Sequence, residues 1–541
     1  MMSIFRKLAR SYPPQAAGHP SITCRGIPIT HEDLFGYTNG HFLVNQEYQT
    51  RRRYVKFDVD ALCDVAAAAG GNSSRIVAIE KMEGGFSKAL LMKKANGMEV
   101  IAKIPCRIAG PSILTTAGEV GVLEYVKQHT SVPVPRVLAW SSDSSNAVQA
   151  EYIIMEKASG VQLFQRWGEM TVTEKLQLIQ NLSQLEAQFA AIKFPCYGGL
   201  YPRRAVTQAA TAIDSQIDPS GTFCIGPSCD RSIHSDRAVD NGPWKSVSGI
   251  GLAIVENERL RLSTRQDRTL SKFGRETQEQ QMRLLEIAAL FIQQFDTNRN
   301  IQASSQPMLW HTDLHMGNIF VDPNESARIT ALIDLQSLQV LPAFLQARWP
   351  EFLKPPPKYD YPSGMVQPRL PDDFDDLDEE SKGLALQELA QAKLAKAYEA
   401  SLFLENKAAH IAMTAPRVFR ELFTRCGEVS EVGMVPLREC LIELTANWAS
   451  LGFVGDPPYS FTEEEIVAHE TEFDRYQAWA NVHSFAEQCL ETDSDGWIAP
   501  QLDITEQRKK NERLMNKYVA EASKTLPVDE ARANWPFPVD E

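Results

Sequence analysis

Leu309-Trp310-His311-Thr312-Asp313-Leu314-His315-Met316-Gly317-Asn318-Ile319-Phe320-Val321, with Ile329-Thr330-Ala331-Leu332-Ile333-Asp334 close behind, decides how this 541-residue chain is read. Two carboxylates and one carboxamide stand between short apolar runs of β type. Four residues separate Asp313 from Asn318, the spacing at which a phosphoryl-transfer loop carries a base and a metal ligand. Asp334 closes the second run, where a strand end would hold a metal-binding carboxylate. A phosphoryl donor is densely anionic, so Mg²⁺ needs hard oxygen ligands, one or two of them from protein. An acceptor hydroxyl needs a carboxylate within hydrogen-bond reach to orient it and take its proton. Asp313 is therefore expected as the base, and Asn318 and Asp334 as metal ligands. A single Asp at a strand end is usually a turn or cap residue. Three polar groups at this spacing, each beside branched or aromatic runs, are hard to reach by chance.

A rival reading takes His311, Asp313 and His315 as a transition-metal hydrolase site, since alternation on a strand would put all three on one face. Gly317-Asn318 fits a loop better than a strand, and the chain offers no second His/Asp cluster to complete such a site.

Composition narrows the classes. Apolar residues at 43% and charged residues at 23% are those of an ordinary globular protein long enough for two or more core-bearing units. No run of about 18 apolar, uncharged residues occurs, which excludes a membrane span by helix. The net charge is −14, with no Lys/Arg stripe interleaved with aromatics, so nucleic acid is not an expected partner. Arg51-Arg52-Arg53 reads as a solvated face. Nine scattered cysteines without a C-x-x-C argue for reduced thiols in an intracellular compartment. Residues 1–31 lack Asp and Glu but carry Arg6, Lys7, Arg10 and Arg25, which fits a mitochondrial presequence or else the disordered start of a cytoplasmic protein.

Working back from the decisive stretch, Glu276 to Phe295 reads as an amphipathic helix leading into it. Leu178, Leu182, Leu185, Phe189 and Ile192 form one apolar helix face, a core stripe. Between these, Cys196 to about Thr264 is punctuated by Gly and Pro and reads as an irregular insertion whose aromatics favour ordered packing. Earlier still, Val59 to Ala69 predicts a helix, and Arg75–Met82, Lys88–Lys94 and Glu99–Pro105 predict strands, the last two joined by an Asn96-Gly97 turn. Gly84-Gly85-Phe86-Ser87 joins the first two; such a turn lets backbone N–H groups approach phosphate oxygens, with Ser87 as a further donor. Lys103 lies inside Val100-Ile101-Ala102-Lys103-Ile104, so its ammonium must be paired or must snorkel to solvent. Its partner is expected on the helix Ile113–His129. Glu119 and Glu124 lie about 140° apart around that helix, so only one can face the lysine, and Glu119 is preferred. Glu151–Met155 is a buried strand leading into Glu156-Lys157-Ala158-Ser159-Gly160, where backbone groups of Glu156 and Ala158 could pair with an adenine edge. The lobe boundary is drawn there: residues 32–157 as a lead-in and small lobe, residues 158–541 as a helical large lobe. Beyond Asp334, Pro371–Glu380 has seven acidic residues in ten and reads as a solvated loop; Gly383–Met413, Leu437–Leu451, Thr462–Leu490 and Thr505–Ala522 read as helices.

Glycine turn, strand lysine, helix glutamate, hinge strand, His-x-Asp-x-x-x-x-Asn and Ile-Asp strand end occur in one order. Over residues 75–340 this resembles the aminoglycoside phosphotransferase and choline kinase branch of the protein-kinase-like fold. Leu34-Phe35-Gly36-Tyr37-Thr38-Asn39-Gly40, Phe223-Cys224-Ile225-Gly226-Pro227, Gly242-Pro243-Trp244 and Phe344-Leu345-Gln346-Ala347-Arg348 resemble the fungal phosphotransferase-domain group called altered inheritance of mitochondria proteins. The resemblance implies an α+β, two-lobed fold with a small lobe of antiparallel sheet plus helix and a large, mainly helical lobe. It further implies ATP with its phosphates under Gly84, Gly85, Phe86 and Ser87, and Lys103 on the α/β-phosphates held by Glu119. Asp313 would be the base, Asn318 and Asp334 would bind Mg²⁺, and His311 would brace the loop. The implied reaction transfers phosphate to a hydroxyl of a small molecule, whose identity the pattern does not specify; the alternative is a catalytically silent nucleotide-binding protein with a mitochondrial scaffold role. Three departures from the branch stand out: Thr312 where a small Gly is common, Leu335 where an aromatic is usual, and a glycine turn shorter than G-x-G-x-x-G.

Overall fold

Three neighbouring runs, Ile76–Glu83, Ser87–Lys94 and Glu99–Pro105, pair antiparallel in sequence order. Glu99–Pro105 also pairs with Tyr152–Glu156, which pairs with Val137–Ser141 at one edge. The computed structural model describes residues 20–206, 210–234, 240–264, 273–274, 276–357, 359–362 and 364–539. At the opposite edge it adds Ser21–Cys24 and Ile27–Pro28, making seven strands. All neighbours are antiparallel except Ser21–Cys24, which runs parallel to Ile76–Glu83. The helix Val59–Ala68 begins on an Asp58 side-chain cap and shares a core with the sheet through Leu62, Ala66, Ile79, Leu90 and Ile154.

The helix Leu114–His129 is buried on nearly every side. Val120 and Leu123 join Ile153 and Met155 in the large-lobe core. Its outer side meets a second, three-stranded sheet of Gly199–Pro202, Phe223–Gly226 and Thr211–Ala212. Gly121 makes that approach possible, because a β-carbon there would lie 2.3 Å from the carbonyl oxygen of Leu200. The insertion is thus a buttress for this helix. Its expected irregular course to about residue 264 is corrected at the end: Val247–Thr264 is an 18-residue helix. Two glycines argue against helix by propensity, yet one of them, Gly251, is needed for close packing, since a β-carbon there would lie 2.7 Å from the Ile292 side chain.

From Glu156 the chain passes to Val161–Gln162, which pairs with Ile319–Val321, itself paired with Ile329–Leu332. The strand after the small lobe is therefore hydrogen-bonded directly to the first of the two strands that carry the decisive stretch. Gly160, at φ +93°, fits where any β-carbon would lie 2.3 Å from the Val321 carbonyl oxygen. The rest of the large lobe is helical. Leu178, Leu182 and Phe189 are buried as the apolar stripe requires, with Leu185 and Ile192 partly buried against the same core. Each such fully buried Leu or Phe contributes about 1.5–3 kcal/mol. The acidic run 371–380 is mostly exposed and ends by capping the helix Glu379–Glu405 through Asp378.

One expectation shifts at the N-terminus. A disordered start or presequence reaching residue 31 overlaps Ser21–Cys24 and Ile27–Pro28, which are in the sheet, and Thr30, which caps the helix His31–Phe35. The basic residues Arg6, Lys7 and Arg10 lie outside the described residues. All nine cysteines are free thiols, and no helix among the described residues is long and apolar enough to cross a membrane.

Candidate active site

A lysine in an apolar strand has to find acceptors or lose its charge. Lys103 Nζ donates to Glu119 Oε1 and to Asp334 Oδ1, both at 2.7 Å. Burial pushes its pKa down, but the charges of Asp334 and Glu119 raise it above the ordinary lysine value, so it stays an ammonium. Burial raises the Glu119 pKa against the pull of Lys103. Burial presses on Asp334 in the same sense, yet Lys103 holds its carboxyl below the usual range. The two acids differ in access: the Glu119 side chain is 4% exposed and that of Asp334 42%. Glu124 points elsewhere and lines a separate cavity with Lys127 and Arg204.

Backbone geometry ties the decisive stretch together. His311 Nε2 donates to the Ile333 carbonyl at 2.9 Å, and the Ile333 N–H donates to the Asn318 carbonyl at 3.0 Å. Asn318 Nδ2 donates to the Asp313 carbonyl at 3.0 Å. His311 is buried, which lowers its pKa and keeps the ring neutral, so it braces the loop. Asp313 lies exposed on the turn. Asp334 adopts φ +60°, a left-handed conformation that Asp tolerates better than most residues. The three-residue transition-metal reading is overturned. His311 is buried while Asp313 and His315 are exposed, and His315 Nδ1 accepts from the Gly317 N–H at 3.0 Å. Among the described residues no group of three or more His, Cys, Asp and Glu could hold a metal ion. Asp334 and Asn318 instead offer hard oxygens of the kind Mg²⁺ takes together with phosphates and water. They fit that ion.

In the turn between Ile76–Glu83 and Ser87–Lys94, the Gly84 N–H donates to the Ser87 carbonyl at 3.1 Å and closes the turn. Neither Gly84 nor Gly85 has a positive φ, and a β-carbon on Gly85 would meet nothing within 4 Å. What the missing side chains leave is open space beside the turn. Arg53 corrects the solvated-face reading of residues 51–53. It is 5% exposed, donates from Nε to the Gly85 carbonyl at 3.1 Å, and stacks 5.4 Å from the Tyr37 ring centre and 4.7 Å from that of Phe42. Across the cleft, the Arg231 guanidinium lies 4.1 Å from the Phe86 ring centre. Sequence reasoning missed both arginines, because only the docked lead-in and insertion bring them to the turn.

At the hinge, the Glu156 carboxylate accepts from Arg136 Nε at 3.0 Å and the Glu156 N–H donates to the Arg136 carbonyl at 3.0 Å, so the backbone carbonyl is the group that Glu156 can offer a ligand. Ala158 has neither a backbone nor a side-chain hydrogen bond among the described residues, and it is half-buried. Gln162 Nε2 donates to the Gly317 carbonyl at 2.9 Å and fastens this segment to the loop of Asp313.

Proteins similar to this chain are known by sequence and by structure. The chain is 28% identical over 497 residues to a subtelomeric hrmA-associated cluster protein of Aspergillus fumigatus, covering 84% of this chain and 95% of that protein. It is 24% identical over 483 residues to altered inheritance of mitochondria protein 9, mitochondrial, of Scheffersomyces stipitis, covering 80% and 73%. Among solved structures, the gentamicin complex of APH(2″)-IIa aligns with 74% of this chain and all of its own at 13% identity and a TM-score of 0.35. The macrolide 2′-phosphotransferase MphH of Brachybacterium faecium aligns with 66% and 99% at 16% identity and a TM-score of 0.27. The phosphotransferase enzyme family matches residues 64–344, just over half of the sequence and the part that holds every site residue described above from Gly84 to Asp334, and the chain belongs to that family.

Proposed function

We propose that this protein is an ATP- and Mg²⁺-dependent phosphotransferase that moves the γ-phosphate onto a hydroxyl of a small molecule. The observation that carries the reading is the Lys103 ammonium shared between a buried glutamate and an accessible aspartate where the two lobes meet. In this reading the Gly84-Gly85-Phe86-Ser87 turn covers the phosphates and Lys103, fixed by Glu119, binds the α/β-phosphates. The backbone of Glu156 and Ala158 meets the adenine edge. Asn318 and Asp334 hold Mg²⁺, which when bound neutralises phosphate charge. The acceptor oxygen bonds to the γ-phosphorus as the bond to the bridging β-oxygen breaks; ADP leaves, and Asp313 takes the hydroxyl proton.

A metabolite extract incubated with labelled ATP tests this. Asp313→Asn should cut label transfer by about 10²–10⁴-fold while Mg-ADP binding persists. Equal transfer by the variant would refute the base assignment. Nucleotide binding without transfer by the native chain would make it a silent nucleotide-binding protein.

The mitochondrial name of several relatives and the acid-free first 20 residues, which carry Arg6, Lys7 and Arg10, support a mitochondrial location. Any cleavage would fall before Ser21, because Ser21–Cys24 belongs to the sheet. Fractionation with N-terminal sequencing of the mature chain checks both points, and an uncleaved cytoplasmic protein would refute them.

A further inference from the structure

Next to the exposed loop of Asp313 lies a cavity of about 330 Å³ that includes Thr312 in its wall. Its size is at the lower end of the roughly 300–1,000 Å³ of small-molecule sites. Arg348 and Arg420 both line it. Neither forms an ion pair with a carboxylate among the described residues. Arg348 is held by one donation, from Nε to the Gln346 carbonyl at 3.1 Å, and Arg420 by donations to the Phe344 carbonyl at 2.8 Å and the Ala347 carbonyl at 2.6 Å. Each keeps guanidinium N–H groups to spare. Burial and, after it, the charge of Arg348 lower the Arg420 pKa to about 10, so the two guanidiniums line one space close enough to repel each other.

Gln339 adds an independent sign. It lines the same cavity, is 1% exposed, and accepts from Ser228 Oγ at 2.8 Å, yet its Nε2 has no acceptor among the described residues. A buried amide donor without an acceptor costs about 1–3 kcal/mol unless something fills the role. The two acids on the wall have other partners. Glu428 pairs with Arg425 at 3.0 Å, and Asp230 accepts from the Ser232 N–H and Oγ at 2.8 and 2.6 Å. Asp230 and Asp313 are near enough for Arg348 to feel their charge, which offsets part of the positive field without closing an ion pair.

We propose that this cavity holds the acceptor by an anionic group, a carboxylate or a phosphate bound by Arg348, Arg420 and Gln339, so that the substrate is a small hydroxyl compound carrying negative charge. This rests on the phosphotransferase reading above. The arginines fix the charged end, and the hydroxyl end reaches toward Asp313. A polycationic acceptor would meet two guanidiniums and is disfavoured by the same geometry.

Passing the metabolite extract over an anion-exchange resin before adding labelled ATP tests the proposal. Acceptor activity should reside in the retained fraction, and Arg348→Ala should raise the KM for that fraction by about 10-fold or more, with Mg-ADP affinity unchanged. Arg348→Lys should recover part of the loss, because it keeps the charge but not the fork. Acceptor activity in the flow-through, or an unchanged KM in Arg348→Ala, overturns the anionic assignment and leaves the phosphotransferase reading standing. No label in either fraction defeats that reading and takes this inference with it.

Discussion

Two sets of buried lysines lie in one sheet, and they are used in opposite ways. Lys81 and Lys88 have fully buried side chains and share Glu83, at 3.1 and 2.6 Å. Their remaining donors go to the main chain of the lead-in: Lys81 to the Asp33 and Gly36 carbonyls at 2.7 and 2.8 Å, and Lys88 to Gly36 at 2.7 Å. Glu83 also takes the N–H and hydroxyl of Thr38. Every partner in that cluster is internal, and it does one thing: it fastens residues 33–38 to the strands that flank the glycine turn. Lys103 has two acids for one charge, and one of those acids is open to the cleft. A buried lysine by itself does not mark a site. A buried lysine with a partner that solvent and ligand can reach does.

The sharpest break between the two sets is expected at Glu83. Glu83→Ala strands two buried ammonium groups and should cost about 3–5 kcal/mol in urea unfolding, with nucleotide binding retained by the molecules that stay folded. A loss under about 1 kcal/mol would mean that the cluster is hydrated and unlike its description. Next, Lys103→Met should lower label transfer by about 10²–10³-fold, the cost of losing one preorganised group at developing charge. Its stability loss should be the smaller of the two, because Glu119 can take up a proton and Asp334 faces the cleft. Near-native transfer by this variant would remove Lys103 from the site.

A third buried carboxylate, Glu186, pairs with no cation among the described residues and calibrates both sets. It accepts from the Tyr398 hydroxyl at 2.8 Å, and burial raises its pKa to about 8. A carboxyl raised on folding stabilises fully below its unfolded value and loses that contribution as pH climbs through the folded one. Stability should therefore fall by on the order of 1 kcal/mol per pH unit between about pH 5 and 8. Glu186→Gln should flatten that slope, as thermal unfolding across the range would show. An unchanged slope would mean that Glu186 ionises at an ordinary pH.

The cleft was largely legible in the sequence because its requirements are local. A lysine in an apolar run, a glutamate on the correct side of one helix, and Asp, Asn and Asp at fixed offsets need only period and spacing to be found. The surroundings were not, because they depend on distant pairing. Ser21–Cys24 joins the main sheet by lying parallel to Ile76–Glu83, more than fifty residues on. Arg53 looked like surface in a run of three arginines until Tyr37, Phe42 and Gly85 closed around it. Val247–Thr264 carries glycines that oppose a helix locally and permit its packing globally. Arg348 was read only as part of a family-like segment, since its neighbours Arg420 and Gln339 come from elements that no spacing rule connects.

Calorimetry with a non-hydrolysable ATP analogue, with and without Mg²⁺, on the native chain and Asp334→Asn, puts the Lys103 bridge to its most direct test. The account predicts that Mg²⁺ strengthens binding to the native chain and that the variant loses this dependence while keeping metal-free binding. The same Mg²⁺ dependence in both proteins would contradict it.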